Sequence, residues 1–412
     1  MAEKKHYLSN KEIQEIARQN KKVMMALEKE KWKKKPESEY TTQMKDENNI
    51  LEIEDLNTYF FTDQGVVKAV NGVSLNVPLH STVGIVGESG CGKSVTSMSV
   101  MRLLQGPTGQ IFSGAIRFKS ADFVRDKKGK PISTKKDENG NPVYETEERV
   151  YDIAKMPMSE IHRIRGRQIA MIFQEPMTSL NPVFTIGNQL DEVTFIHTPG
   201  ATKEMAKARS LEMLNLVGIA APERVYKAYP HELSGGMRQR VMISMALICN
   251  PRLVIADEPT TALDVTIQAQ ILNLLRDIKD KMDGSILLIT HDLGVIAEMA
   301  DYVVVMYAGR VIEQGTVREI FHDPRHPYTI GLQKSKPTMD SNTDTLYNIP
   351  GNVPNPINMP THCFFKERCD RCIEKCSGDY PGMIQVSPTH FVACHLYDTC
   401  EKTENTNEEK GE

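Results

Sequence analysis

Apolar and polar positions along the chain predict a series of strands interrupted by helices. Residues 51–61 alternate with the period of a strand that has one buried face, and residues 66–77 continue as one or two strands. Other segments are short, continuous apolar runs, which are typical of strands buried on both faces. These runs are residues 82–86, 169–173, 253–256 and 285–290. Residues 302–306 and 310–313 flank an Ala-Gly turn and predict a terminal hairpin.

Helical periodicity is concentrated in the middle of the chain. Residues 94–104 predict one helix directly after a strand. Residues 183–250 are mainly helical, with breaks at Pro199-Gly200, Gly218 and Pro230. We therefore predict a helical subdomain over residues 175–250.

Two polar segments do not fit this pattern. Residues 1–35 hold 11 Lys and Arg against 5 Asp and Glu, with Ile13, Ile16, Val23, Met24 and Leu27 at roughly helical spacing. A basic amphipathic helix is one interpretation of residues 1–48. A solvated, partly disordered extension is the interpretation we favour, because the apolar face is narrow. Residues 119–155 are rich in Lys, Asp, Glu and Gly, and predict a surface insertion that a hairpin could form.

Composition limits the class of protein. A chain of 412 residues with 40% apolar and 25% charged residues is typical of a soluble protein with two or three domains. No apolar run approaches the roughly 18 residues of a membrane span. The N-terminus lacks the apolar core of a secretion signal. The net charge of −4 does not favour nucleic acid as a partner.

Residues 87–94 fit the phosphate-binding loop pattern G-x-x-x-x-G-K-[ST]. A predicted strand enters the loop and a predicted helix leaves it, which is the context that the motif requires. Glycines let backbone N–H groups close around phosphates, Lys93 reaches the terminal phosphates, and the Ser94 hydroxyl holds Mg²⁺. The sequence therefore predicts a nucleotide site.

Two later strands end in groups suited to phosphate chemistry. The run 253–256 ends in Asp257-Glu258, which fits an acidic motif that coordinates Mg²⁺. Glu258 lies one residue further out and is the candidate general base. The run 285–290 ends at His291, at the sheet edge where open α/β folds bind ligands.

Eight cysteines without an export signal indicate a reducing compartment, where clustered thiols more often bind metal than form disulfides. Cys363, Cys369, Cys376 and Cys394 are separated by five, six and seventeen residues. Four thiolates could hold an iron–sulfur cluster or a structural Zn²⁺. Cys372 and Cys400 leave the choice of ligands open. Plain thiols without a metal are a third alternative. This segment is far in sequence from the nucleotide motifs, so we expect a structural, docking or redox-sensing role.

Residues 233–240 read Leu-Ser-Gly-Gly-Met-Arg-Gln-Arg, and at this point the chain resembles the ATP-binding-cassette (ABC) ATPases. The other motifs of that family follow the same order: phosphate loop, Q-loop at Gln174, acidic strand, D-loop 262–264 and switch histidine. The resemblance implies an α/β P-loop NTPase fold with a RecA-like core, an antiparallel β subdomain and a helical subdomain. It also implies two ATP molecules held between two cassettes, each site built from both chains.

The resemblance assigns roles residue by residue. Catalysis is assigned to Glu258, His291 and Gln174, and Mg²⁺ to Ser94, Gln174 and Asp257. Nucleotide contacts are assigned to Phe60, Gly87, Glu88, Ser89, Gly90, Cys91, Gly92, Lys93, Ser94, Val95, Ser234, Gly235, Gly236 and Asp264.

A narrower resemblance is to the ATPase subunits of oligopeptide and dipeptide importers. It rests on the Q-loop region 172–182, the motif 325–332 (RHPYTIGL) and the cysteine-containing region 349–396, which implies a small Cys-rich C-terminal extension. His362 stands where that family usually has Gly before its first cysteine. The resemblance favours a [4Fe–4S] cluster on the four cysteines.

It further implies two transmembrane permease subunits, an extracytoplasmic solute-binding protein and a second ATPase subunit, paralogous or identical. The chain would then lie peripherally on the cytoplasmic face of the cell membrane. An importer of nickel or a sugar and a cassette ATPase acting on ribosomes or DNA are the alternatives. The predicted divisions are an extension over 1–48, an ATPase domain over 49–318, a C-terminal extension over 319–397 and a disordered acidic tail over 398–412.

Overall fold

Two large β-sheets, a separate two-stranded sheet and a layer of helices form the part of the chain that the structure, a computed structural model, describes. That part comprises residues 9–126, 131–136, 142–175, 179–261, 264–282, 284–335 and 347–398. The strands are β1 Thr41–Thr42, β2 Asn49–Phe61, β3 Val66–Pro78, β4 Thr82–Val86, β5 Gly109–Phe123, β6 Ser133–Lys136, β7 Pro142–Tyr144, β8 Thr146–Asp152, β9 Ile169–Ile172, β10 Leu253–Asp257, β11 Ser285–Ile289, β12 Tyr302–Tyr307, β13 Arg310–Thr316, β14 Ile384–Gln385 and β15 Phe391–Val392. The α-helices are α1 Asn10–Trp32, α2 Lys93–Val100, α3 Ile186–His197, α4 Lys203–Leu216, α5 Pro222–Lys227, α6 Gly235–Leu247, α7 Val265–Met282, α8 Leu293–Met299, α9 Val317–His322 and α10 Pro327–Lys334.

The larger sheet has the strand order β14-β15-β13-β12-β4-β11-β10-β9. Its five strands from β12 to β9 are parallel, with β13, β15 and β14 added antiparallel at one edge. The register pairs Asp257 with Ile289, and Ile289 with Ile85. The carboxyl ends of β10, β11 and β4 therefore lie level at one edge of the sheet.

The continuous apolar runs of the sequence are explained by burial on both faces of this sheet. On β11, Leu287 and Ile289 face a core shared with the antiparallel sheet β1-β8-β5-β2-β3. Ile286 and Leu288 face a second core shared with the helices. Because successive strand residues point to opposite faces, both faces must be apolar.

The predicted helical subdomain is present as α3 to α6. Thr185, Thr202 and Ser234 cap the N-termini of α3, α4 and α6 through side-chain oxygens. Gly218 follows α4 with φ of +76°, a left-handed conformation that ends a helix at low cost with glycine. In the ranges described above, no helix combines the length and apolar character that crossing a membrane requires.

The N-terminal segment is helical rather than the solvated extension that the sequence favoured. Ser9 and Glu12 form a capping box at the start of α1. The Asn20 side chain donates to the Thr62 carbonyl (2.7 Å), and Gln110 Nε2 donates to Glu28 (2.6 Å), which fixes α1 on the antiparallel sheet. No residue of α1 is fully buried, and the apolar residues Ile13, Ile16, Met24 and Leu27 are half-buried, so the helix is held by polar contacts together with this partly covered stripe.

The antiparallel sheet extends beyond the boundaries expected from the sequence. β1 lies before residue 48 and pairs with β8. Both ends of the predicted insertion 119–155 are strands, since β5 continues to Phe123 and pairs with β8. Between them, β6 and β7 form a hairpin. The short, polar strands β1 and β8 carry too little apolar alternation to be recognised.

The cysteine-containing segment packs onto the ATPase core. β15 pairs with β13 through Val392 and Phe391 and so extends the main sheet. Ile349, Phe364 and Phe365 are buried in the same apolar cluster as the helical layer. The segment therefore shares the core of the larger domain. The predicted tail beyond Asp398 lies outside the described residues.

Candidate functional site

The phosphate loop connects β4 to α2, as the sequence predicts. Gly92 has φ of +102°, and a Cβ there would lie 2.4 Å from the Ala69 carbonyl oxygen. Only glycine avoids that clash in this backbone conformation. α2 begins at Lys93, so the positive end of the helix dipole faces the loop.

The Lys93 ammonium group is held against the loop. Its Nζ donates to the carbonyl oxygens of Gly87 (2.7 Å) and Glu88 (3.1 Å), and the side chain is buried. A buried cation beside N–H groups and a helix N-terminus is complementary to the negative charge of phosphates.

Asp257 lies opposite Ser94 at the end of β10. The Ser94 hydroxyl donates to Asp257 Oδ1 (3.0 Å), and the Ser97 hydroxyl to Oδ2 (3.5 Å). Burial raises the pKa of the Asp257 carboxyl, and the Ser94 hydrogen bond opposes that effect. A hydroxyl and a carboxylate of this kind fit Mg²⁺, which prefers oxygen ligands and often takes only one or two from protein.

Glu258 is at the centre of a hydrogen-bond network. Its Oε2 accepts from Gln174 Nε2 (2.8 Å) and the Thr261 hydroxyl (2.9 Å), and His291 Nδ1 lies 3.2 Å from Oε1. The Glu258 backbone has φ of +47°, and its N–H donates to the Ile289 carbonyl (2.8 Å). Such backbone strain in a non-glycine residue is typical of functional sites.

One cavity of about 540 Å³ joins these groups. That volume lies in the range of small-molecule sites. Its lining residues are Ala69, Ser89, Gly90, Gly92, Lys93, Ser94, Val95, Gln174, Glu258, Thr261 and His291. The structure thus brings the loop and the three predicted catalytic residues together around a space for a nucleotide.

Other predicted nucleotide contacts lie outside this lining. Phe60 is half-buried on β2 and packs against Gly109 of β5. Ser234 and Gly235 are exposed at the start of α6, where a partner molecule could reach them. Asp264 is exposed and caps α7, accepting from the Ile267 N–H (2.9 Å). The D-loop residues 262 and 263 lie outside the described residues.

The four cysteines predicted to bind a cluster are neighbours but are not arranged as a metal site. Burial raises the pKa of Cys363 to about 11 and that of Cys394 to about 12, with further increases from nearby Cys369 and Cys376. Within the described ranges, no group of three or more His, Cys, Asp or Glu side chains is arranged to hold a metal ion. The structure therefore gives no support to the cluster or to zinc. Cys372 is exposed, and Cys400 lies outside the described residues.

Comparison with known proteins identifies the family. The family model "ABC transporter" matches residues 70–261, and the model "Oligopeptide/dipeptide transporter, C-terminal region" matches residues 312–376. The chain is 46% identical over 351 residues to the oligopeptide transport ATP-binding protein AppD of Bacillus subtilis, covering 85% of this chain and 98% of the relative. The chain belongs to the oligopeptide/dipeptide family of ABC transporter ATP-binding proteins.

Other relatives and solved structures agree. The oligopeptide transport protein OppD of Bacillus subtilis is 48% identical over 348 residues, covering 84% of this chain and 88% of the relative. The dimeric cassette MJ0796 bound to ADP and phosphate superposes with a TM-score of 0.51 at 23% identity, covering 65% of this chain and 99% of that one. CbiO1 from Clostridium perfringens gives 0.51 at 25% identity, covering 67% and 92%. The predicted ABC fold and ATPase class are confirmed.

Two contacts at the site of this ATPase were not predicted from the sequence. The Thr261 hydroxyl donates to Glu258. Thr261 lies only three residues after Glu258, and this short spacing could have indicated the contact. Arg368 forms an ion pair with Glu88 of the phosphate loop, across 280 residues. No local pattern indicates such a distant pairing.

We predict that Asp257→Asn stabilises the nucleotide-free ATPase while removing its stabilisation by MgATP. Because the folded-state pKa of Asp257 is raised, the ionised carboxylate costs folding free energy at neutral pH. That cost disappears as the pH falls through the raised pKa towards the ordinary value. The Tm of the variant should therefore exceed that of wild type at neutral pH and converge with it in acid.

Differential scanning fluorimetry with and without MgATP measures both effects. Asp277→Asn, at an exposed position on α7, is the matched control and should change neither. A variant that is less stable than wild type at neutral pH, or that keeps the full stabilisation by MgATP, would contradict the assignment of Asp257.

Proposed function

We propose that this chain hydrolyses ATP to drive the import of di- or oligopeptides by separate membrane subunits. The observation that carries the proposal is the Gln174–Glu258–His291 network at the mouth of the phosphate loop. The relatives named for oligopeptide transport support the choice of peptides over nickel or a sugar. The cassette does not contact the cargo in this proposal, so its own site does not select the peptide.

The proposed mechanism divides the roles among residues at the carboxyl ends of four strands, β4, β9, β10 and β11. Lys93 binds the terminal phosphates, and Ser94 and Asp257 would hold Mg²⁺, which when bound neutralises phosphate charge. Glu258 accepts the proton of the attacking water. Gln174 and Thr261 fix the orientation of the Glu258 carboxylate through their hydrogen bonds. His291, beside Oε1, lies where it can contact the transferred phosphate.

We further propose that two cassettes form each complete site. The signature residues Ser234, Gly235 and Gly236 stand outside the cavity of their own chain and would contact the nucleotide of a partner cassette, either a paralogous subunit or a second copy. Membrane permease subunits would contact the cassettes at the membrane surface, on its cytoplasmic face. An extracytoplasmic binding protein would act through those permeases. Phe60 and Asp264 would also contact the nucleotide, as the resemblance implies.

Glu258→Gln should bind MgATP with near wild-type affinity and lose turnover by about 10²- to 10⁴-fold, the usual contribution of a general base. The amide keeps the size of the side chain and cannot accept the proton. In cells lacking the gene, wild type should restore uptake of labelled di- or oligopeptides, and Glu258→Gln should not. Glu223→Gln, at an exposed position on α5, is the control and should behave as wild type.

Three results would go against this account. Turnover by Glu258→Gln within a few-fold of wild type would remove Glu258 from its role. Restoration of peptide uptake by that variant would separate hydrolysis from transport. If the gene instead restores uptake of nickel or a sugar, and its deletion does not affect peptide uptake, the ATPase role would stand and the proposed peptide substrate would be wrong.

We also propose that Cys363, Cys369, Cys376 and Cys394 ligate a [4Fe–4S] cluster, with Zn²⁺ as the alternative. The support is the spacing of the four cysteines in the sequence, which are separated by five, six and seventeen residues. Because these thiols have raised pKa values, ligation must displace their protons and draw the sulfur atoms together. Metal binding is then coupled to the local structure of the extension.

Protein purified without oxygen should contain four iron and four sulfide ions per chain, as the cluster formula requires. Replacement of any one of the four cysteines by Ser should remove them, while Cys372→Ser, at the exposed cysteine, should not. Elemental analysis and visible absorption give the measurement. One zinc per chain would select the alternative, and protein without metal would refute both.

A further inference from the structure

The cysteine-containing extension holds the phosphate loop directly. Arg368 Nη1 donates to Glu88 Oε2 (2.9 Å) and Nη2 to Glu88 Oε1 (3.0 Å), which is a bidentate ion pair. Glu88 is the second residue of the phosphate loop, and Arg368 directly precedes Cys369. A planar guanidinium paired in this way fixes the carboxylate in orientation as well as in distance.

The guanidinium of Arg368 is itself fixed within the extension. Its Nε donates to the Pro350 carbonyl (2.9 Å), and the side chain is 5% exposed. The rings of Tyr307 and Phe365 lie 5.7 Å and 5.8 Å from its central carbon. A guanidinium stays protonated in proteins, so the charge of Arg368 is permanent. Movement of the extension must therefore move Glu88 or break a partly buried, bidentate ion pair.

A second contact holds the backbone of the same residue. The Glu88 N–H donates to the hydroxyl oxygen of Tyr328 (2.8 Å), a fully buried side chain of α10. Burial raises the pKa of Tyr328, so the phenol stays neutral. The Tyr328 ring packs against Tyr307 and Phe365, with centroids 4.8 Å and 5.6 Å away. One aromatic cluster thus supports both contacts to Glu88.

The backbone carbonyl of Glu88 contacts a residue of the nucleotide site. Its carbonyl oxygen accepts from Lys93 Nζ (3.1 Å), the cation that binds phosphate in the mechanism above. The carboxylate, the N–H and the carbonyl of one residue therefore connect Arg368, Tyr328 and Lys93. The Glu88 N–H is paired with Tyr328, and the Cys91 N–H donates to the Glu88 carbonyl (3.3 Å), so hydrogen bonds within the chain fix this part of the loop.

We propose that Arg368 is a positioning residue of the ATP site and that the extension is a required part of that site within the same chain. Arg368 sets the position of the loop through Glu88, and the loop sets the position of Lys93. By linkage, a nucleotide that is bound in the loop must in turn stabilise the extension around Arg368. ATP binding and the order of the cysteine-containing segment are thus coupled.

A double-mutant cycle tests the contact. Arg368→Gln and Glu88→Gln should each weaken binding of a non-hydrolysable MgATP analogue by roughly ten- to a hundredfold, the scale of a small misplacement of binding groups. The KM for ATP should rise more than kcat falls. The double variant should bind the analogue no more weakly than the single variant with the lower affinity, because both substitutions remove the same contact. Arg368→Lys, which keeps the charge without the fork, should recover part of the affinity.

Arg371→Gln is the matched control, since Arg371 is an exposed arginine of the same segment. It should leave nucleotide affinity unchanged. Tm values for all variants separate loss of folding from loss of positioning. A lower Tm for Arg368→Gln with unchanged affinity would show a purely structural role and overturn the proposal. Additive losses of affinity in the double variant would overturn it as well.

Hydrogen exchange tests the reverse direction, and its decisive comparison, with and without nucleotide, uses the wild-type ATPase. The MgATP analogue should slow amide exchange in residues 363–377, and Glu88→Gln should abolish that protection at saturating nucleotide. Unchanged exchange in this segment on nucleotide binding to wild type would refute the coupling.

Discussion

The hydrogen-bond register of three adjacent parallel strands is the constraint on which the whole site depends. β4, β11 and β10 end level with one another, and each carboxyl end continues into a functional segment. The phosphate loop follows β4, His291 follows β11, and Asp257 ends β10. A shift of one residue in any pairing would exchange the side chains that face the two cores, so close packing on both faces of the sheet opposes such a shift and keeps the register that catalysis needs.

The polar groups at this edge are arranged at a measurable cost to folding. Asp257 is an acid whose raised pKa reflects its burial, and Glu258 occupies a left-handed backbone conformation. Both are held by neighbours: Ser94 and Ser97 for the first, Gln174 and Thr261 for the second. The apolar cores on both faces of the sheet supply the stability that tolerates these groups. A site preorganised in this way has little left to rearrange when nucleotide binds.

The parts of the site that could be predicted are those with local chemical spacing. The loop 87–94 carries its glycines, Lys93 and Ser94 within eight residues, and a continuous apolar run points directly to Asp257 and Glu258. What could not be predicted depends on contacts between distant segments. α1 is held by the polar side chains of Asn20 and Glu28, which have no periodic signal. The Arg368–Glu88 pair joins residues 280 positions apart, so distance in sequence from the nucleotide motifs was misleading for the extension.

The central claim is that ATP binds at this sheet edge in a cavity that a single chain leaves incomplete. A crystal structure of the Glu258→Gln variant with MgATP, alone or with a second cassette subunit, tests it most directly. The account predicts phosphates inside the loop 87–94, the metal between Ser94 and Asp257, and the signature serine of a second cassette against the terminal phosphate. Nucleotide bound elsewhere, or a terminal phosphate fully enclosed by one chain, would contradict it.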